Sequence, residues 1–273
     1  MEVKLEIQRE YNPAHPNFKR WQLARDISAD RAKFIESLLT SEISLNGLKI
    51  LDLGSGEGNT SSLLAKNNFV ASLEPKRERI RKIFKTNSLQ PVMANGLNFP
   101  FKLSSFDLII LQDVIEHIPI DYNFIRNLHS LLNDEGKIYL STPNKLSLFN
   151  IISDPHWGLP LLSLFKRHQI KKYFLGIFRK NDYHRDDIAE LFSLKQLVKL
   201  VNDYFIIKLY TKNSVRHLMN GGKGIIWSNF HLKLVKAINL IRLKKIIIGI
   251  ANNKKGLVNK YFTPTFYIIL TKK

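Results

Sequence analysis

Apolar residues along the chain gather in short continuous runs, separated by longer stretches in which they recur at helical spacing. The runs at 49–53, 69–73, 91–94, 106–111 and 137–141 predict strands, and their unbroken character fits a parallel sheet buried on both faces. Between them, helices are expected over residues 60–66, 75–84, from Val114 onward and over 122–132, with a turn at 133–136. Upstream, Phe34, Ile35, Leu38 and Leu39 share one helical face, with Ser28 placed to cap it, and Asn46-Gly47 turns the chain into the first strand. Downstream, a helix over 193–202 and strands over 204–210 and 265–270 complete the pattern. Strands alternating with helices imply βαβ units, and ligands of such sheets bind beyond the carboxyl ends of the strands.

Composition narrows the class. A chain of 273 residues, 44% hydrophobic and 24% charged, builds a sizeable core. With no cysteine there is no disulfide framework, thiolate nucleophile or Cys-based zinc site. The first residues lack the apolar core of a secretory signal. Leu240–Ala251, the nearest approach to a membrane span, is interrupted by Arg242, Lys244 and Lys245. The net charge of +19 is unevenly spread: residues 208–273 hold fourteen Lys or Arg and no acid, and residues 155–181 are also acid-free. That asymmetry points to an anionic partner, a membrane surface or a nucleic acid; the plainer reading is drift in a Lys-, Asn- and Ile-rich sequence.

The densest chemistry lies at Ile50–Thr60, ILDLGSGEGNT. A strand ends in Asp52, glycines follow at 54, 56 and 58, and Asn59-Thr60 starts a helix. Glycine suits a turn where backbone must approach a ligand. The spacing is G-x-G-x-G, lacking the third glycine of the dinucleotide fingerprint, while Glu74 lies about twenty residues on, where an acid accepts hydrogen bonds from ribose hydroxyls. A nucleoside with a free ribose and no pyrophosphate fits best.

Five segments in order resemble the class I S-adenosylmethionine-dependent methyltransferases: LDLGSGEG, SLEP with Glu74, ANGLNFPF, FDLIILQDVIEHIP and LLNDEGKIYLSTPN. The resemblance covers Ile50–Asn144. It implies a Rossmann-like α/β sandwich with a seven-stranded, mostly parallel sheet whose last strand is antiparallel, helices on both faces and basic helical inserts. Residues 1–46 would form a helical lead or lid and 47–273 the methyltransferase domain, with inserts near 147–183 and 212–262. S-adenosylmethionine is the implied cofactor, held by Asp52, Gly54, Ser55, Gly56, Glu74, Asn95, Gly96 and Gln112. Asn95 departs from the family's acid, keeping hydrogen bonding and losing charge. Asp52 as a turn-stabilising acid and Gly58 as a helix-packing glycine are roles that coexist with binding.

For the acceptor side, Asp113, Glu116 and His117 stand at i, i+3, i+4, one face of a helix. Three readings stay open: His117 is an oriented general base, the trio holds a divalent metal, or the Glu-His pair is structural. His156 and His184 are the other histidines within reach. LQDV replaces the [DN]-P-P-[YFW] motif of base and amide nitrogen methylation, so the resemblance favours oxygen on a small-molecule, glycan or lipid-linked acceptor. Two stretches mix apolar and basic residues. The first holds Leu161, Leu162, Leu164, Phe165, Ile170, Tyr173, Phe174, Ile177 and Phe178 among Lys166, Arg167, Lys171 and Lys172; the second holds Phe230, Leu234, Ile238 and Ile241 beside Lys233, Lys236 and Arg242. Either packs on the sheet or meets an anionic membrane. The expected location is cytoplasmic, at the inner membrane face if the stripes dock. The alternatives are an RNA methyltransferase using the basic C-terminal region and a catalytically silent methyltransferase fold.

Overall fold

The computed structural model describes residues 12–97, 99–185, 187–225 and 229–273, with the backbone alone at 229–231. Residues 1–11 of the expected lead and the Phe230 side chain lie outside the described residues. The strands are β1 (Lys49–Leu53), β2 (Phe69–Leu73), β3 (Leu89–Val92), β4 (Phe106–Gln112), β5 (Leu132–Pro143), β6 (Phe205–Leu209) and β7 (Thr265–Lys272). They form one seven-stranded sheet in the order β3-β2-β1-β4-β5-β7-β6. The pairs β1–β2, β2–β3 and β4–β5 are parallel, and β7 runs antiparallel to both β5 and β6. This is the expected Rossmann-like architecture with its reversed last strand.

The helices are α1 (Phe18–Asp26), α2 (Ser28–Leu39), α3 (Asn59–Leu64), α4 (Arg77–Ile80), α5 (Tyr122–Leu131), α6 (Leu148–Ile152), α7 (Leu194–Val201), α8 (Thr211–Met219), α9 (Asn229–Leu240) and α10 (Lys244–Ile250). The chain divides into two compact units, residues up to Asn98 with Lys212–Ala251, and Phe99–Thr211 with Asn252–Lys273.

In the first unit, β1 and β2 bury Ile50, Leu51, Leu53, Val70 and Leu73, and α2 buries Phe34, Ile35, Leu38 and Leu39. Ser28 does not cap α2: it is the first helical residue, and its hydroxyl donates to the Arg25 carbonyl at 2.6 Å and accepts from Asn59 at 3.1 Å. One residue joins α1 to α2, so Ile27 takes the capping position. The basic helix expected over 75–84 shrinks to Arg77–Ile80: Ile80, Ile83 and Phe84 keep helical spacing, but Ile83 is buried beside Gly58 beyond the helix end and Phe84 is exposed. Strand β3 starts two residues earlier than expected; it is the sheet edge, where Pro91 costs no ladder bond. Helices α9 and α10 leave Leu240, Ile246 and Ile250 exposed, as is Ile241 in the turn between them.

In the second unit, Leu108–Leu111 of β4, Ile138–Leu140 of β5 and Phe266–Leu270 of β7 are buried. The turn at 133–136 appears as a break in the ladder, since Phe106 pairs with Leu132 and Leu108 with Lys137. Asp121 caps α5 by accepting from Phe124 N at 2.9 Å, and a Ser193–Gln196 capping box starts α7. No helix forms at Val114. Asp113 adopts φ 55°, residues 115–117 make a turn, and Pro119 disfavours helix in the residue before it. The shared helical face expected for Asp113, Glu116 and His117 is therefore corrected.

The first mixed stretch both packs and stays exposed. Trp157, Leu162, Ile170, Phe174, Leu175 and Ile188 form a buried cluster. Leu161, Leu164, Phe165, Tyr173, Ile177 and Phe178 remain exposed, Phe178 by 73%. Among the described residues no helix is long and apolar enough to cross a membrane.

Candidate functional site

The glycine turn after β1 is built from left-handed backbone. Gly54, Gly56 and Gly58 have φ of 73°, 58° and 81°, a region costly for any residue with a Cβ. The turn is hung on β2, since Gly54 N and Ser55 N both donate to the Leu73 carbonyl, at 2.8 and 3.1 Å. Glu74, at the end of β2, reaches back into it. One carboxylate oxygen accepts from Gly56 N and the other from Lys76 N, each at 3.0 Å. Each oxygen keeps a second acceptor lobe. Asp52 lies beneath the turn, fully buried, and accepts from Ser61 of α3 at 2.5 Å. It thereby ties strand to helix.

The glycines differ in role. A Cβ at Gly56 would meet nothing within 4 Å, whereas one at Gly58 would sit 2.7 Å from Ile83. Gly56 thus borders open space beside Glu74, and Gly58 serves packing. Ser55 Oγ is buried with no hydrogen-bond partner among the described residues. Asn95 is exposed and closes a local turn by accepting from Leu97 N at 3.1 Å, with the buried Gly96 beside it.

The second unit carries Gln112 of the expected cofactor set and the acceptor-side candidates. Gln112 ends β4 in register with Ser141, half-buried. Asp113 Oδ1 accepts from Ser141 Oγ at 3.0 Å. Glu116 is fully buried; its Oε2 accepts from Thr142 Oγ1 at 2.9 Å, and its Oε1 has no hydrogen-bond partner among the described residues. Burial first, and Asp113 second, push its carboxyl up to about 8. His117 Nδ1 lies 2.8 Å from the Asp187 carbonyl. A carbonyl only accepts, so Nδ1 carries the proton and Nε2 the lone pair. His156 stands edge-on to His117, ring centroids 5.1 Å apart. His184 is exposed against Tyr183 and does not join them.

Sequence reasoning missed Arg167, which it placed among surface cations. Its guanidinium faces inward and donates to the carbonyls of Ile188, Glu116 and Ile118 at 2.7, 3.0 and 3.3 Å, clamping the Glu116–His117 turn. Spacing along the chain carries no signal of that reach, which spans 49 to 51 residues.

A family described as a methyltransferase domain matches residues 22–204 of the 273. The chain belongs to the class I S-adenosylmethionine-dependent methyltransferases. Among curated relatives, the ubiquinone biosynthesis O-methyltransferase of Coxiella burnetii is 28% identical over 127 residues, 44% of this chain and 52% of that protein. The mitochondrial ubiquinone biosynthesis O-methyltransferase of Bos taurus is 26% identical over 114 residues, 38% of this chain and 31% of that protein. The chain thus spans about half the length, or less, of these relatives. Among solved structures, an S-adenosylmethionine dependent methyltransferase from Mesorhizobium loti superposes with a TM-score of 0.54 at 12% identity, covering 87% of this chain and 96% of that one. The PH0226 protein of Pyrococcus horikoshii gives 0.50 at 14% identity, covering 89% and 90%. At such identities these two show the fold.

S-adenosylmethionine, the cofactor of this methyltransferase family, suits the groups around the turn. The open space at Gly56, the unsatisfied Ser55 hydroxyl and the Glu74 carboxylate offer a backbone cradle, a polar contact and a ribose acceptor. Two of the acids titrate abnormally. Burial raises Asp52 to about 6, opposed by the Ser61 hydrogen bond and assisted by Glu74. Burial also raises Glu74, offset by Arg79 and by the Lys76 and Gly56 amides. An acid with a raised folded pKa binds more protons folded than unfolded, so the contribution of Asp52 to stability is fully present below about pH 4 and is lost as pH rises through about 6. Thermal melts of the cofactor-free methyltransferase should show Asp52→Asn gaining about 2 kcal/mol on wild type between pH 4 and 7. Parallel pH curves for the two proteins would remove this account of Asp52.

Proposed function

We propose that the protein transfers the methyl group of S-adenosylmethionine to a hydroxyl oxygen of a lipid-linked acceptor at an anionic membrane surface. The observation carrying the membrane half is the exposed face of the 147–183 insert. Leu161, Leu164, Phe165, Tyr173, Ile177 and Phe178 are exposed there beside Lys166, Lys172 and Lys180, in a segment free of acids from 155 to 181. Apolar side chains entering the acyl boundary gain about 1.5–3 kcal/mol each when fully buried, and each Lys about 1 kcal/mol near anionic lipid. The choice of oxygen rests on LQDV after β4 and on the O-methyltransferase names of the curated relatives.

When bound, the cofactor supplies an electrophilic methyl on a sulfonium, so an O–CH3 bond forms as S–CH3 breaks, the electron pair stays on sulfur, and the hydroxyl proton is released. Glu74 and the Gly54–Gly58 turn bind and orient the nucleoside, and Asp52 holds that turn on α3. A hydroxyl is a weak nucleophile until its proton is drawn off. The Glu116–His117–His156 cluster is the group in the second unit equipped to do so, with Arg167 keeping its turn in place.

The test is labelled-methyl transfer into separated lipid, glycan and RNA pools, together with flotation on phosphatidylglycerol vesicles. Label should enter the lipid pool. The protein should float at low salt and lose flotation in Phe165→Glu/Phe178→Glu. Label in RNA, with affinity falling steeply with salt, would replace this reading with a nucleic-acid acceptor. Absence of flotation at low salt would remove the membrane.

A further inference from the structure

We propose that Lys145, supported by Lys166, forms a subsite for a phosphate group carried by the acceptor. Lys145 follows β5, which runs parallel to β4 in register up to the pair Gln112–Ser141. Ligands of parallel sheets bind beyond such carboxyl ends. The backbone fixes the position. Asn144 bridges to Phe192, and Lys145 N donates to the Phe192 carbonyl at 3.0 Å. The Asn144 side-chain amide donates to the carbonyls of Asn259, Lys260 and Thr263 at 3.2, 3.0 and 2.9 Å, so the loop is held from beneath.

Three observations point to an anion at this loop. First, Lys145 is half-buried, yet among the described residues its ammonium has neither a hydrogen bond nor an ion pair. A cation drawn out of water without a partner is costly. Burial pushes the Lys145 ammonium down, Glu190 opposes that shift, and Lys166 adds to it. Glu190 is not a full counter-ion, because one of its oxygens accepts from Arg167 N at 3.1 Å. Second, Ser147 lies two residues on in the same loop, fully buried, with no hydrogen-bond partner for its Oγ among the described residues. A loop that completes its hydrogen bonding on a ligand leaves such a group unsatisfied until the ligand arrives. Third, Lys166 adjoins the exposed Leu164 and Phe165 of the face proposed to meet lipid. The subsite thus continues that face at the level where headgroup phosphates stand.

Phosphate fits better than carboxylate. A planar carboxylate is matched by the guanidinium fork, whereas an ammonium acts as a point charge toward tetrahedral phosphate oxygens. Arg167 has Nε and Nη2 committed to the carbonyls of Ile188, Glu116 and Ile118, which leaves the anion to the lysines. This deepens the proposed function and rests on it for the lipid that carries the phosphate.

The experiment acetylates lysines of the full chain at trace level and maps them by mass spectrometry. The probes are inorganic phosphate, dihexanoylphosphatidate, acetate and dihexanoylglycerol, which has no phosphate. Dihexanoylphosphatidate should slow labelling of Lys145 about tenfold, the loss of one charge-assisted contact in reverse, and leave the exposed Lys199 of α7 unchanged. Equal protection by inorganic phosphate assigns the subsite to the phosphoryl group itself; protection by the phosphatidate alone assigns it to phosphate on a lipid. In methyl transfer to the lipid fraction that takes label, Lys145→Met should raise the acceptor KM about tenfold at nearly constant kcat. Lys145→Arg should recover part of that loss, and Lys199→Met, which removes the same charge elsewhere, should change nothing. Circular dichroism confirms that each variant is folded. No protection by either phosphate probe, or equal protection by acetate or dihexanoylglycerol, overturns the subsite. Lipid labelling with an unchanged KM in folded Lys145→Met overturns it while leaving the proposed function standing. Protection of Lys145 with no label in lipid supports the subsite and fails the lipid acceptor instead.

Discussion

Glu74→Ala should weaken S-adenosylmethionine binding by about 10²–10³-fold in calorimetry at pH 7.5, the loss of two charge-assisted hydrogen bonds at about 1.5–3 kcal/mol each, partly offset by water. The carboxylate already meets Gly56 N and Lys76 N, so it is positioned before any ligand arrives. Replacing it also removes one anchor of the glycine turn, and the melting temperature should fall by a few degrees. Glu74→Gln keeps one acceptor oxygen and should lose less, about tenfold. Because burial raises the Glu74 pKa, wild-type affinity should decline as pH drops through that raised value, when the carboxyl gains its proton and stops accepting from one hydroxyl. A Glu74→Ala protein that binds within threefold of wild type would remove the ribose from this position.

His117→Ala should lower kcat by about 10²–10⁴-fold, the usual span for a group that activates a hydroxyl, with cofactor affinity unchanged within about twofold. The separation is expected because His117 is not among the residues that the resemblance assigns to the cofactor. Its side chain is fixed by a backbone carbonyl and not by a cofactor-binding group. The split distinguishes chemistry from support: if the Glu-His pair only shaped the turn, stability would drop and kcat per folded molecule would not. Rapid-quench turnover with saturating cofactor reads the difference directly.

Legibility followed the range over which each feature is determined. Strands β1 and β2 could be read to the residue because apolar runs end abruptly, in Gly54 and in Glu74. That Glu74 ends the strand beside β1 was legible for the same reason; its hydrogen bond from Gly56 N was not read. Helix α4 was overestimated because Ile80, Ile83 and Phe84 read as one helical face, whereas Ile83 is buried beyond the helix end and Phe84 is exposed. The turn at Glu116–His117 was misread as helix because a residue spacing of three and four also fits a tight turn, and the left-handed Asp113 leaves no compositional mark. Arg167 and His156 depend on contacts across long stretches of chain. A basic residue in an amphipathic stripe reads as solvated until the fold shows which carbonyls it meets. The same stripe divided between a buried cluster around Trp157 and an exposed rim, an outcome decided by the geometry of residues 157–188.

The most direct measurement is a crystal structure of the chain with S-adenosylhomocysteine. Both ribose hydroxyls should lie within hydrogen-bond distance of Glu74, with the amino-acid end against the Gly54–Gly58 backbone. A nucleoside seated elsewhere, or a glycine turn filled by the protein's own side chains, would contradict the account.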